Sequence, residues 1–244
     1  MSCTRWRNSA NAARARIASP APAPYRPAMR RIALLLSTLF PASLAAHPHV
    51  FVDTGFELIF DTEGRLSHVR VTWAYDDFYS LLILEDMGLD PDGDGVLTPE
   101  EQAQLSGFDA QWIEGFTGDL DMRLGDMALE LSGPLEPTAT TEAGRIVTTH
   151  LRSVSGSPRL DGAALSIKPY DETYYTAYEV AQPVTLTGRD DCRLERFEPD
   201  IDGQLAQMQQ MLLRIDADAD LEEMDIPLMG AEFATEIRVT CPGS

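Results

Sequence analysis

Leu89 to Glu101 reads LDPDGDGVLTPEE, and its carboxylates fall on alternate residues, Asp90, Asp92 and Asp94, with Gly95 directly after them. With Asp90 in the first place of a loop, Val96 takes the seventh, Thr98 the ninth and Glu101 the twelfth. That is the EF-hand pattern at every diagnostic place. The spacing has a physical cause: alternate side chains turn inward as a chain wraps a cation, and glycine permits the sharp turn. Val96 then offers a carbonyl oxygen, Thr98 binds directly or through water, and Glu101 closes the shell from the following helix with both carboxylate oxygens. Hard oxygen donors select Ca²⁺, and Leu97 is placed to enter the packing between the flanking helices. A second acidic run, DADADLEEMDIP from Asp216, has Leu221 where glycine is needed and Pro227 in the twelfth place. One structural calcium site is therefore expected, working at the roughly 10⁻⁴–10⁻³ M of external calcium modules.

The second cluster is AHPHVFVD, Ala46 to Asp53. His47 and His49 are imidazole donors suited to Zn²⁺, Ni²⁺ or Co²⁺, and an α-amine exposed beside them by processing would add a third nitrogen. If Phe60 pairs with Arg65 across the following turn, His68 stands opposite Glu57 and Thr72 opposite Asp53. That register gives a polar face on which Asp53, Glu57 or His68 completes the site. HPH is equally compatible with a plain polar start to a strand, and His68 and His150 with ordinary surface strand positions.

These donors need elements to hold them. Val50, Val52, Thr54, Phe56, Leu58 and Phe60 alternate with a second set, and Val69, Val71, Trp73 and Tyr75 do so beyond the turn residues DTEG, which predicts a β-hairpin. DDFYSLLILEDMGL (76–89) places Phe78, Leu81, Leu82 and Leu84 near one side of a helix capped by Asp76 or Asp77. Thr98-Pro99-Glu100-Glu101 starts another. Alternating segments recur in DLDMRLGDMALEL, GRIVTTHLRSV, AALSIKPYD, TYYTAYEV, PVTLTG and ATEIRVTC. One helix is expected near 203–215, where Leu205, Met208, Met211 and Leu212 read as a core stripe rather than a methionine copper site. The expected fold class is α+β: β-rich layers, an EF-hand-like helix–loop–helix inserted over 76–117, and one later helix.

Met29-Arg30-Arg31, the apolar run IALLLSTLF and PASLAA match an export signal over 29–45, cleaved after Ala45 or Ala46. The apolar run is shorter than the about 20 residues of a membrane span. Residues 1–28, rich in Ala, Arg and Pro, read as a leader or an upstream mis-start, leaving 46–244 as a single mature domain outside the cytoplasm. The chain carries a net charge of −20, but its first 46 residues hold seven arginines and no acid. The rest therefore sets 12 basic side chains against 39 acidic ones, a balance of −27. Such a surface opposes nucleic-acid and anionic-membrane binding and favours cations or basic partners. Cys192 and Cys241 are the cysteines left after the leader, in a compartment that permits a disulfide; two buried thiols or a soft metal pair are the alternatives.

HPHVFVD, the strand-rich FELIFDTEGRLSHVRVTWAYDDFYSLLILEDMGLDPDGDG, YDETYYTAYEV, PVTLTG, DDCRLE and RVTC together resemble the exported family called domain of unknown function 1007. The resemblance spans nearly the whole mature chain. It implies a periplasmic accessory role in transition-metal transport, notably of zinc, beside an inner-membrane nickel/cobalt-type transporter. By motif match it extends to His47 and His49, but not to His68 or His150.

Two readings follow. In one, the chain captures Zn²⁺, Ni²⁺ or Co²⁺ through His47 and His49 and presents it to the transporter, while calcium holds the scaffold. In the other it is a calcium-stabilised exported interaction module. An enzyme is not expected: H-E-x-x-H, G-x-S-x-G and a catalytic cysteine are all missing, and Lys168 is the sole lysine.

Overall fold

A computed structural model describes residues 48–212 and 228–243. The expected leader, export signal and His47 lie outside the described residues, as does the second acidic run from Asp216. The predicted hairpin forms from β1 (Val50–Phe60) and β2 (Leu66–Tyr75). Its inward residues are the apolar set read from the alternation, with Val52, Phe56, Leu58, Val69 and Val71 almost wholly buried.

The register differs from the expected one. Phe60 pairs with Leu66 rather than Arg65, with an irregularity at Ile59/Phe60, so His68 lies opposite Ile59, Glu57 opposite Arg70 and Asp53 opposite Ala74. The turn explains the shift. The Asp61 carboxylate accepts from the backbone N–H groups of Glu63 and Arg65, and the Asp61 N–H donates to the Arg65 carbonyl, so Arg65 belongs to the turn and not to the ladder.

Two helices follow. α1 (Asp77–Met87) is capped by Asp76, whose carboxylate accepts from Tyr79 N–H at 2.8 Å and from Phe51 N–H of β1 at 2.9 Å. α2 (Pro99–Leu105) begins with a full capping box between Thr98 and Glu101. Of the predicted inward set of α1 only Leu84 is buried. Ser80 and Leu84 are buried, with Tyr79, Ile83 and Met87 half-buried, whereas Phe78, Leu81 and Leu82 face outward. A helix apolar on every side has no stripe to announce its buried face. Ser80 settles the docking, since its hydroxyl accepts the Ile146 N–H at 2.9 Å.

The remaining strands are β3 (Leu120–Leu124), β4 (Met127–Ala128), β5 (Leu135–Glu142), β6 (Arg145–Ser153), β7 (Ala164–Pro169), β8 (Thr176–Glu179), β9 (Val184–Thr187), β10 (Arg193–Phe197) and β11 (Glu236–Thr240). They make two sheets, ordered β5-β6-β2-β1-β8 with β9 also on β1, and β10-β11-β7-β3-β4. Both contribute to one continuous hydrophobic cluster, and the fold is α+β. The later helix, α3 (Ile201–Leu212), is present, but Leu205 is exposed, so the expected core stripe does not hold there. The side chains of Met208, Met211 and Leu212 lie outside the description. Among the described residues no helix is long and apolar enough to cross a membrane.

β1 changes partner along one edge, pairing in parallel with β8 over Val50–Asp53 and with β9 over Phe56–Ile59. Gly55 sits at the switch, where the chain passes so close that an added Cβ would lie 2.6 Å from both Gln182 Cβ and the Pro183 carbonyl oxygen. Gly55→Ala is therefore expected to destabilise the fold by roughly 1–3 kcal/mol through overpacking, measured by urea unfolding. A change below about 0.5 kcal/mol would mean that residues 181–183 can retreat freely.

Candidate functional sites

The loop between α1 and α2 gathers the predicted carboxylates. Among the described residues, Asp90, Asp92 and Asp94 form the one group of three or more acidic, histidine or cysteine side chains that converges, with one ligand atom from each within 4.8 Å of the others. Its geometry is built by the acids themselves. Asp90 adopts a left-handed backbone (φ 52°), and its carboxylate accepts from Asp94 N–H and Gly95 N–H, each at 3.0 Å. The positive φ of Gly95, 77°, gives the turn that glycine was expected to allow. Glu101 spans the loop, accepting from Asp90 N–H at 3.2 Å and from Thr98 N–H and hydroxyl at 2.8 Å, and these bonds hold its carboxyl below the usual range. Leu97 packs against the core, and the Thr141 hydroxyl on β5 donates to the Gly95 carbonyl. The donors are all oxygen, and Val96 is exposed at the rim.

The histidine cluster is not drawn together in the same way. The β1–β2 face is polar, as expected, but arginines occupy its acids: Asp53 pairs with Arg145 at 2.7 Å, and Glu57 with Arg70 at 3.4 Å while accepting from the Thr187 hydroxyl at 2.7 Å. His68 Nδ1 lies 3.0 Å from Ser67 Oγ. His49 is exposed and its ring packs on Tyr175, centroid to centroid 4.9 Å.

Tyr175 belongs to a site the sequence reading missed. An open cleft of about 650 Å³ has Val50, Val52, Trp73 and Tyr75 of the hairpin among its lining residues. Its acids are Asp109 and Asp119, from the segment after α2, and Asp171 and Glu172, from the segment before β8. Asp109 accepts from the Tyr75 hydroxyl at 2.9 Å and the Thr148 hydroxyl at 2.6 Å; burial nevertheless raises its carboxyl above the usual range. Asp119 accepts from the Tyr178 hydroxyl at 2.9 Å. Burial, with help from the charges of Asp171 and Glu172, pushes it up to about 6. The sequence signal was present in WAYDDFY (73–79) and YDETYYTAY (170–178), two stretches that interleave aromatics with acids.

Beside the cleft, β6 turns a second polar row inward. His150 is buried between Trp73 and Trp112, with ring centroids 4.7 and 5.3 Å away, and its Nε2 has no hydrogen-bond partner. Arg152 donates to the carbonyls of Ser132 and Thr117 and lies over the Trp112 ring. Neither is the surface residue that alternation permitted, because the chain from Asp109 to Gly118 covers this end of the sheet.

Cys192 and Cys241 form a disulfide. It occupies the rung next to Arg193–Thr240 on the β10–β11 ladder.

The model of a family described as protein of unknown function (DUF1007) matches residues 32–241. The chain belongs to the DUF1007 family. The match takes in both sheets, the helix–loop–helix and the disulfide. No curated protein matches the chain.

Proposed function

We propose that this DUF1007 protein is an exported metal-handling accessory. A calcium ion is held by Asp90, Asp92, Asp94, the Val96 carbonyl, Thr98 and Glu101, and a Zn²⁺, Ni²⁺ or Co²⁺ ion is captured at His47 and His49 for an inner-membrane nickel/cobalt-type transporter. The observation that carries the metal reading is the convergence of three carboxylates within 4.8 Å in a loop whose first and twelfth residues are hydrogen-bonded to each other. Calcium would tie α1 to α2 by joining ligands that run from Asp90 at one end of the loop to Glu101 at the other. The disulfide and the acidic surface support a place outside the cytoplasm, in the periplasm. Because Arg145 and Arg70 already neutralise Asp53 and Glu57, the transition-metal set rests on the two histidines.

Calcium at about ten to a hundred times its dissociation constant is expected to stabilise the chain by roughly 1–3 kcal/mol, read as a rise in Tm. Asp90→Ala with Asp94→Ala should abolish the rise; a rise that persists in the double variant would refute the loop as the site. For the histidines, isothermal titration of the processed chain with calcium present throughout should show zinc, nickel or cobalt binding that His47→Ala/His49→Ala removes. Absence of such binding would leave the second reading, a calcium-stabilised interaction module. That reading is favoured by the outward-facing Phe78, Leu81 and Leu82 of α1.

A further inference from the structure

The cleft beside Tyr175 has a chemistry distinct from either metal site. Every lining side chain that carries a full charge is an acid, Asp109, Asp119, Asp171 or Glu172, and no Lys, Arg or His lines it. Its walls carry the aromatic rings of Trp73, Tyr75, Tyr79, Phe116, Tyr175 and Tyr178.

Three of the hydroxyl protons are also directed. Tyr75 gives its proton to Asp109, Tyr178 gives its proton to Asp119, and Thr173 gives its proton to Asp171. Each of these hydroxyl oxygens keeps only acceptor capacity toward a ligand, as the carboxylates do. The polar atoms therefore ask for a ligand that brings donors or positive charge, and the ring faces between them add the attraction of π-electrons for a cation. A small anion would meet the repulsion of four carboxyl groups here.

The layout also separates an organic cation from a bare metal ion. The four acids do not converge as the loop acids do, since the only converging group among the described residues is Asp90, Asp92 and Asp94. Acceptors spread around an aromatic-walled space of about 650 Å³ match an extended body within the usual size of small-molecule sites. They do not match a point charge that needs its ligands within one shell.

We propose that this cleft binds a small organic cation, an ammonium or guanidinium group carried on an apolar or aromatic body. The charged head lies among the carboxylates and the body lies against the rings.

The test uses the processed protein, with calcium present throughout, and three probes of similar shape: phenethylammonium, the neutral phenethyl alcohol and the anionic phenylacetate. Binding is followed by calorimetry and by NMR of the Tyr178 and Trp73 rings. The expected result is saturable binding of the ammonium, at least about tenfold tighter than that of the alcohol, with no binding of the anion. Glu172→Gln, at an exposed position, and Asp119→Asn, which can still accept the Tyr178 hydroxyl, should each weaken the ammonium about tenfold or bring it level with the alcohol. Equal affinity for ammonium and alcohol would overturn the proposal, as would no ring shifts with ammonium up to about 10 mM. It would also be overturned by Zn²⁺ shifting the same rings while the ammonium does not. Unchanged binding in both variants, each with wild-type unfolding behaviour, would overturn it too.

Discussion

Replacing Cys192 and Cys241 together by alanine is expected to lower the unfolding free energy by about 4 kcal/mol. The bond spans a sequence separation of 49 residues, and closing a loop of that length in the unfolded chain removes entropy worth about that much. The native side gives little to offset the loss. β10 is an edge strand with four of its five residues exposed, and beyond it Ile201 and Leu205 of α3 are also exposed. Little buried apolar surface therefore holds residues 193–207 in place once the covalent link is cut. Cys241 itself is fully buried at the end of β11, which pairs with both β10 and β7, so β11 should stay docked while β10 loosens. Urea unfolding of the oxidised, reduced and double-alanine proteins measures the global term, and amide exchange in Arg193–Phe197 measures the local one. A loss below about 1 kcal/mol, with β10 amides as protected as before, would mean that the ladder alone suffices.

What the sequence made legible divides along physical lines. Period-two alternation located most of the strands because it records burial on one side, and burial is what sheets share. β5 escaped because LEPTATTE has only Ala139 buried and so carries no apolar rhythm. The acidic loop was legible as a constellation because its ligands are neighbours in sequence, and local hydrogen bonds fold it onto itself. The hairpin register was not legible, since two turn carboxylate bonds from Asp61 moved it, and with it His68. The same shift set Arg70 opposite Glu57, but the arginine that occupies Asp53 was invisible for a different reason. Arg145 lies on β6, two strands away from β1 in the sheet order, and nothing near Asp53 in the sequence announces it. The cleft is the clearest such case: its four acids come from two distant segments, and only the topology brings them to the same hairpin.

His150→Leu should change the pH dependence of stability strongly between about pH 4 and 6.5. The imidazole is buried without a partner for Nε2, and that burial, aided by the nearby Arg152 guanidinium, depresses its pKa from 6.5 to about 4. The sign follows directly. Between about pH 4 and 6.5 the unfolded chain holds a proton on this ring that the folded chain does not, so the neutral ring's contribution is fully present above about 6.5. It is lost as pH falls toward 4 and amounts to roughly 3 kcal/mol over that span. Leucine keeps the apolar contacts with Trp73 and Trp112, has no proton to take up and leaves no orphaned nitrogen, so at neutral pH the variant should be at least as stable as the parent. Acidification then widens its advantage. Asp119 works in the opposite direction: held up to about 6, it keeps a proton in the fold that the unfolded chain releases, so its contribution grows as pH falls from about 6 toward 3.8. Acid titration of the parent alone therefore mixes two opposed slopes with the relief of repulsion in a chain of strongly negative charge. The difference between parent and His150→Leu cancels every group but one. Urea unfolding of both at half-unit steps from about pH 4 to 7.5 should give curves that converge toward neutrality and part in acid. Parallel curves would show that His150 takes up its proton in the fold at the same pH as in the unfolded chain, so that its burial carries no pH-dependent cost.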